Sequence, residues 1–102
     1  MQDCSKKDIE EMLGEEGINV LYLYTPMCGT CQVAGRMLTI VQELTPHMTF
    51  RKIDLNYIPD LAEKWSVESV PCLLIFRGSN IEQKIYAFHS VPYLYETIRS
   101  IS

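Results

Sequence analysis

Residues 18–44 read INVLYLYTPMCGTCQVAGRMLTIVQEL. The first part, Ile18 to Tyr24, is a short apolar run rich in β-branched and aromatic residues, the pattern of a buried strand. Thr25-Pro26 breaks it, and Cys28 follows at once. From Gln32 onward Val33, Met37, Val41 and Leu44 recur at helical spacing, and Pro46 stops that helix. Met48 to Leu55 reads as a second strand. A β-α-β unit implies a parallel pair of strands.

The same logic extends to both ends. Ser5-Lys6-Lys7-Asp8 has the form of a capping box, with Ile9, Met12 and Leu13 on one face behind it and Gly14 and Gly17 ending the helix. Pro59 to Trp65 reads as a short helix with proline at its first position. Pro71 opens a third buried strand, Cys72 to Phe76. Gly78-Ser79-Asn80 is a turn, and Ile81 to Phe88 returns as a fourth, antiparallel strand. Ser90 caps a last helix with Leu94, Tyr95, Ile98 and Ile101 on one face. The expected order is α-β-α-β-α-β-β-α. This is an α/β chain with a mixed four-stranded sheet flanked by helices on both faces.

Size and charge narrow the function. The 102 residues suit a single domain spanning 1–102, since domains usually hold about 100–150 residues. Hydrophobic residues make up 47% and charged ones 22%, values of an ordinary globular chain. A net charge of −4 argues against nucleic acid or an anionic membrane as partner. No apolar run approaches the roughly 18 residues that span a bilayer. The polar start, Met1 to Lys7, lacks the apolar core of a signal peptide, so a cytoplasmic location is expected.

Cysteines stand at positions 4, 28, 31 and 72. Cys28-Gly29-Thr30-Cys31 places a C-x-x-C where a strand hands over to a helix. The first turn of a helix presents unpaired N–H groups and the positive end of its dipole. A thiolate there is stabilised, and its pKa falls from about 8.5 into a range of about 3.5–7.5. Cys28 is then the exposed nucleophile, and Cys31, one turn deeper, can attack the mixed disulfide that Cys28 forms. The competing readings are half of a zinc site or an inert buried pair. Zinc needs four ligands, and Cys4, Cys72, His47 and His89 supply no second closely spaced pair. No metal is therefore expected, and redox chemistry is the preferred reading.

Three segments carry a family resemblance: VLYLYTPMCGTCQ (20–32), RKIDLN (51–56) and SVESVPCLLIFRG (66–78). They resemble the thioredoxin family, and more closely its small bacterial members, over nearly the whole chain. The resemblance implies a thioredoxin fold and thiol–disulfide exchange, with Cys28 attacking and Cys31 resolving. It implies disulfide-bearing protein substrates. It also implies a reductase carrying flavin and using NADPH as electron donor, with no cofactor on this chain and a monomeric state. Pro71 matches the family's cis-proline, against the simpler reading of a trans-proline opening an edge strand. Met27, Ser69, Val70 and Ala87 match positions lining the family's substrate groove. A disulfide oxidase or isomerase, or a binding module without turnover, are the alternatives.

The departures are as informative. Met27 replaces the tryptophan before the first cysteine, Thr30 a proline between the cysteines, and Arg36, preceded by Gly35, a proline in the helix. Tyr22 aligns with the family's buried aspartate, and Lys52 with that acid's lysine partner, here expected to be unpaired. Gly35 is either a bend or a close-packing position. Cys72 reads as a small core residue and Cys4 as a free thiol. Tyr86, Tyr93 and Tyr95 read as packing, and neither His47 nor His89 receives a role.

Overall fold

The computed structural model describes residues 1–102. Strand β1 (Gln2–Asp3) leads into helix α1 (Lys6–Leu13), strand β2 (Ile18–Tyr24), helix α2 (Gly29–Leu44) and strand β3 (Thr49–Asp54). A 3-10 turn (Leu55–Tyr57), helix α3 (Pro59–Lys64), strands β4 (Cys72–Arg77) and β5 (Asn80–Ile85) and helix α4 (Val91–Ile101) complete the chain.

The sheet order is β1-β3-β2-β4-β5. The pairs β1–β3 and β2–β3 are parallel, and β2–β4 and β4–β5 antiparallel. The parallel β-α-β unit and the terminal hairpin stand as the sequence implied. The sheet has five strands, however, and not four. The additional strand, β1, is two polar, exposed residues held at the edge through Gln2↔Arg51 and Asp3↔Lys52. So short a polar segment has no periodicity by which to be recognised.

Alternation along β2 divides the core. Val20 and Tyr22 point to one face, where they pack with Leu38 and Val41 of α2 and Leu94 and Ile98 of α4. Leu21 and Leu23 point to the other, against Ile9 and Met12 of α1 and Leu61 of α3. The helix starts follow their capping residues. Ser5 accepts from the Asp8 N–H while Asp8 accepts from the Ser5 N–H, and Ser90 Oγ accepts from the Tyr93 N–H.

The last strand ends earlier than its apolar residues suggest. It stops at Ile85, and residues 86–90 form a loop in which His89 has φ 56°. Arg77 pairs directly with Asn80, leaving Gly78-Ser79 as a two-residue hairpin turn. Gly78 has φ 62°, a left-handed conformation that costs a side-chain-bearing residue about 1–2 kcal/mol. Gly78→Ala should lower stability by about 1 kcal/mol, a fall in Tm of about 4–8 °C for a domain of this size. Ser79→Ala should stay within about 0.5 kcal/mol. Thermal unfolding of the two variants checks the contrast.

Candidate active site

The site forms because β2 ends between two neighbouring strands while α2 must return over one face of the sheet. Thr25 to Met27 make the crossing, and Met27 is 97% exposed. Cys28 is extended, with φ −111° and ψ 108°, and serves as the N-cap of α2. Its sulfur accepts a hydrogen bond from the Cys31 N–H at 3.1 Å, the task usually given to a serine, threonine, aspartate or asparagine oxygen. Thr30 Oγ1 lies 3.3 Å from the same sulfur.

Cys28 and Cys31 form a disulfide, with their Cα atoms 5.2 Å apart. The two sulfurs differ in access. Cys28 is half-buried, whereas Cys31 is 4% exposed and belongs to the core beneath α2. An outer sulfur can meet a macromolecular disulfide. An inner one reacts only with what is already bound to its neighbour.

Tyr22 lies directly beneath the pair. Its hydroxyl donates to the carbonyl oxygen of Cys31 at 2.5 Å, and its ring packs edge-on against Phe88 at 6.0 Å. Burial pushes the phenol up to about 12, so it accepts no proton at neutral pH. Gly35 faces this ring: a Cβ there would meet Tyr22 Cε2 at 3.6 Å, an ordinary contact. Helix α2 runs unbroken through Gly35, so the glycine does not break it.

Lys52 is not the unpaired cation expected from the sequence. It stands opposite Tyr22 in the β2–β3 register, but its Nζ is 3.7 Å from Asp3 Oδ2 and 5.4 Å from the centre of the Tyr24 ring. The Tyr24 hydroxyl donates to Asp3 Oδ1 at 2.5 Å. Burial, then that hydrogen bond, holds the Tyr24 phenol well above its ordinary value. The carboxylate near Lys52 therefore comes from the edge strand β1 and not from β2. A cavity of about 360 Å³ connects these groups, lined by Tyr22, Tyr24, Cys31, Gly35, Arg36 and Lys52 among others.

On the other side of the cysteines, a groove of about 450 Å³ is lined by Thr30, Val33, Met37, Pro71, Phe88 and His89, with Ala34 and Tyr86. The Val70–Pro71 peptide is cis. Pro71 lies in the groove's lining. Met27, Ser69 and Ala87 are exposed, Val70 is half-buried between the two cores, and none lines this groove. The reason at Ala87 is local: the next residue, Phe88, takes the inward position. His89, given no role from the sequence, enters the groove because its left-handed backbone turns it beside Tyr93, ring centres 4.8 Å apart. Tyr86 does more than pack: its hydroxyl accepts from the Glu68 N–H at 3.1 Å, tying down the loop before Pro71.

The remaining cysteines lie apart from the pair. Cys72 is fully buried on the α1–α3 face, and burial pushes its thiol up to about 11. Cys4 donates its S–H to the Lys52 carbonyl at 3.3 Å, and burial followed by the Asp8 carboxylate raises its pKa. His47 is exposed. No group of three or more His, Cys, Asp or Glu side chains is arranged to hold a metal ion.

The Tyr22 bond gives a test with a defined sign. The folded phenol sits at about 12, against about 10 in an unfolded chain. Its contribution is therefore complete below about pH 10 and lost as pH rises through the folded value. Tyr22→Phe should cost about 1 kcal/mol at neutral pH through the lost hydrogen bond. The gap between variant and parent should close as pH rises from about 10 towards the folded value. Urea unfolding at a series of pH values checks both; a constant gap would place the titrating group elsewhere.

The thioredoxin family model matches residues 2–100. The thioredoxin-like protein YusE of Bacillus subtilis (strain 168) is 44% identical over 102 residues, covering 100% of this chain and 94% of that protein. A thioredoxin of Chlamydia trachomatis serovar D is 30% identical over 70 residues, 68% of this chain and 69% of that one. Among solved structures, a mutant thioredoxin from Halobacterium salinarum superposes with a TM-score of 0.85 at 20% identity, covering 99% of this chain and 88% of the other. Oxidized mitochondrial thioredoxin 3 of Saccharomyces cerevisiae gives 0.83 at 20% identity, covering 98% and 94%. With a family match over nearly all its length and a cysteine pair already joined at the head of α2, the chain belongs to the thioredoxin family and is a thiol–disulfide oxidoreductase.

Proposed function

We propose that this protein reduces disulfides in other proteins, in the cytoplasm and as a monomer, by cycling Cys28 and Cys31 between dithiol and disulfide. The Cys28 thiolate attacks a substrate sulfur, and the other substrate sulfur leaves as a thiolate. Cys31, deprotonated, then attacks Cys28 Sγ; the second substrate thiolate departs and the Cys28–Cys31 bond forms. Two electrons have passed to the substrate. The observation that carries this assignment of roles is the difference between the sulfurs: a half-buried Cys28 at the helix start with two donors on it, and a Cys31 that is 4% exposed.

The groove beside Pro71 supports an extended, partly apolar substrate segment as the docking partner. Electrons return from a separate reductase, of the flavin-bearing, NADPH-using kind; this chain carries no dinucleotide-binding motif and works without a cofactor of its own. No helix is long and apolar enough to cross a membrane.

Cys31→Ser should accumulate covalent substrate complexes through Cys28, because the mixed disulfide then lacks its resolving thiol. Cys28→Ser should form none and should not reduce insulin disulfides. Non-reducing gels and an insulin turbidity assay check both variants. Insulin reduction by Cys28→Ser at the parent rate would reverse the assignment of the nucleophile. Equilibration of the parent with glutathione, read by thiol trapping, tests the direction of electron flow. A potential far more oxidising than the cytosolic pool would make the protein an oxidase.

A further inference from the structure

The apolar residues that mark α2 in the sequence do not all enter the core. Cys31, Ala34, Leu38 and Val41 are buried there. Val33, Ile40 and Leu44 are 51%, 47% and 53% exposed, and Met37 between them is half-buried. Positions 33, 37, 40 and 44 alternate by four, three and four residues. This is the a/d spacing of a helix that packs on another helix, and it lays the four along one seam about 18 Å long. Arg36 and Glu43 are both exposed and flank that seam on one side. They stand about 10 Å apart along the axis, too far to pair with each other. Neither takes part in an ion pair elsewhere in the chain.

We propose that this seam is a self-association face, on which a second copy of the chain lays its own α2 antiparallel about a two-fold axis. Val33 of one copy then packs against Leu44 of the other, and Met37 against Ile40, and the two-fold repeats each layer. The charges decide the direction. Antiparallel packing sets Arg36 of each copy against Glu43 of the other. A parallel pair brings Arg36 beside Val41 of the other helix and gives neither charge a counter-ion. Exposed ion pairs add little strength, but they fix register and orientation. A seam of three helical turns is shorter than a standard interface, which buries about 800 Å² per partner, so the association is weak and depends on concentration.

The seam runs into the groove beside Pro71, because Val33 and Met37 line both. A second copy seated on α2 therefore covers part of the surface that a substrate segment would use. The paired form is a resting state, and the monomer is the working one. That consequence rests on the reductase reading; the association itself does not.

Sedimentation equilibrium of the reduced full-length chain, from about 10 µM to about 1 mM, covers the range of a weak contact. Reduction removes any pair joined covalently through Cys4. The average mass of the parent should climb toward twice the monomer value. Leu44→Glu buries a charge against Val33 at both ends of the seam and should raise the dissociation constant about tenfold or more. Arg36→Glu sets like charges together twice and should weaken association about tenfold. Arg36→Glu combined with Glu43→Arg restores the complementarity and should return the mass to the parent curve. Thermal unfolding of each variant shows whether the fold is kept. A parent that stays monomeric throughout overturns the proposal, as does association that Leu44→Glu leaves unchanged or that the charge exchange fails to restore. Single-turnover reduction of a disulfide-bearing peptide should slow per molecule as parent concentration rises, and not in Leu44→Glu. An equal rate at all parent concentrations overturns the resting-state assignment. If the peptide is reduced at no concentration, the reductase reading fails while the masses still stand, a result distinct from the others.

Discussion

Strand β2 has no solvent side. Val20, Leu21, Tyr22 and Leu23 are all buried, and both edges of the strand are paired, to β3 on one side and β4 on the other. Alternate side chains must be covered by different helices, so α2 and α4 take one face and α1 and α3 the other. Each fully covered aliphatic residue contributes about 1.5–3 kcal/mol relative to exposure, which makes the arrangement hard to alter. The end of β2 is where the chain can leave this enclosure. The cysteine pair stands at that exit, where a helix must begin and its first N–H groups lack partners.

What was legible in the sequence was local. The capping box at Ser5, the cap at Ser90, the apolar run 18–24 and the C-x-x-C each declare themselves within a few residues, and each is found as read. What was not legible joins distant residues. Strand β1 exists only because Gln2 and Asp3 meet Arg51 and Lys52, far along the chain. The end of β5 depends on Tyr86 turning toward Ser66 and Glu68. The groove follows the same rule. Thr30 and Pro71 were singled out by position, but His89 reaches it through a left-handed backbone that a histidine does not announce.

Tyr22, matched by resemblance to a buried acid of the family, gives the interior a wiring of its own. A phenol cannot exchange protons at neutral pH, but it can brace: the hydroxyl donates to the Cys31 carbonyl while the ring lies beside Gly35. The negative charge that Lys52 meets is Asp3, whose side chain is 59% exposed. A pair in that setting is hydrated and screened, and contributes little to stability. The inner cysteine is thus supported by packing and by one neutral hydrogen bond, with the ion pair displaced to the rim of the sheet.

The chain has a single tryptophan, Trp65, 7% exposed and edge-on to Phe76 with ring centres 5.3 Å apart. It belongs to the core on the α1–α3 face, while Cys31 belongs to the other. The sheet therefore stands between the only indole and the disulfide, and Met27 occupies the place beside Cys28 where an aromatic reporter could have been quenched. The emission of this protein is in consequence a gauge of whether α3 and β4 remain packed together. It stays blind to the oxidation state of the cysteines, and the two properties can be followed separately in one cuvette, the first by fluorescence and the second by thiol chemistry.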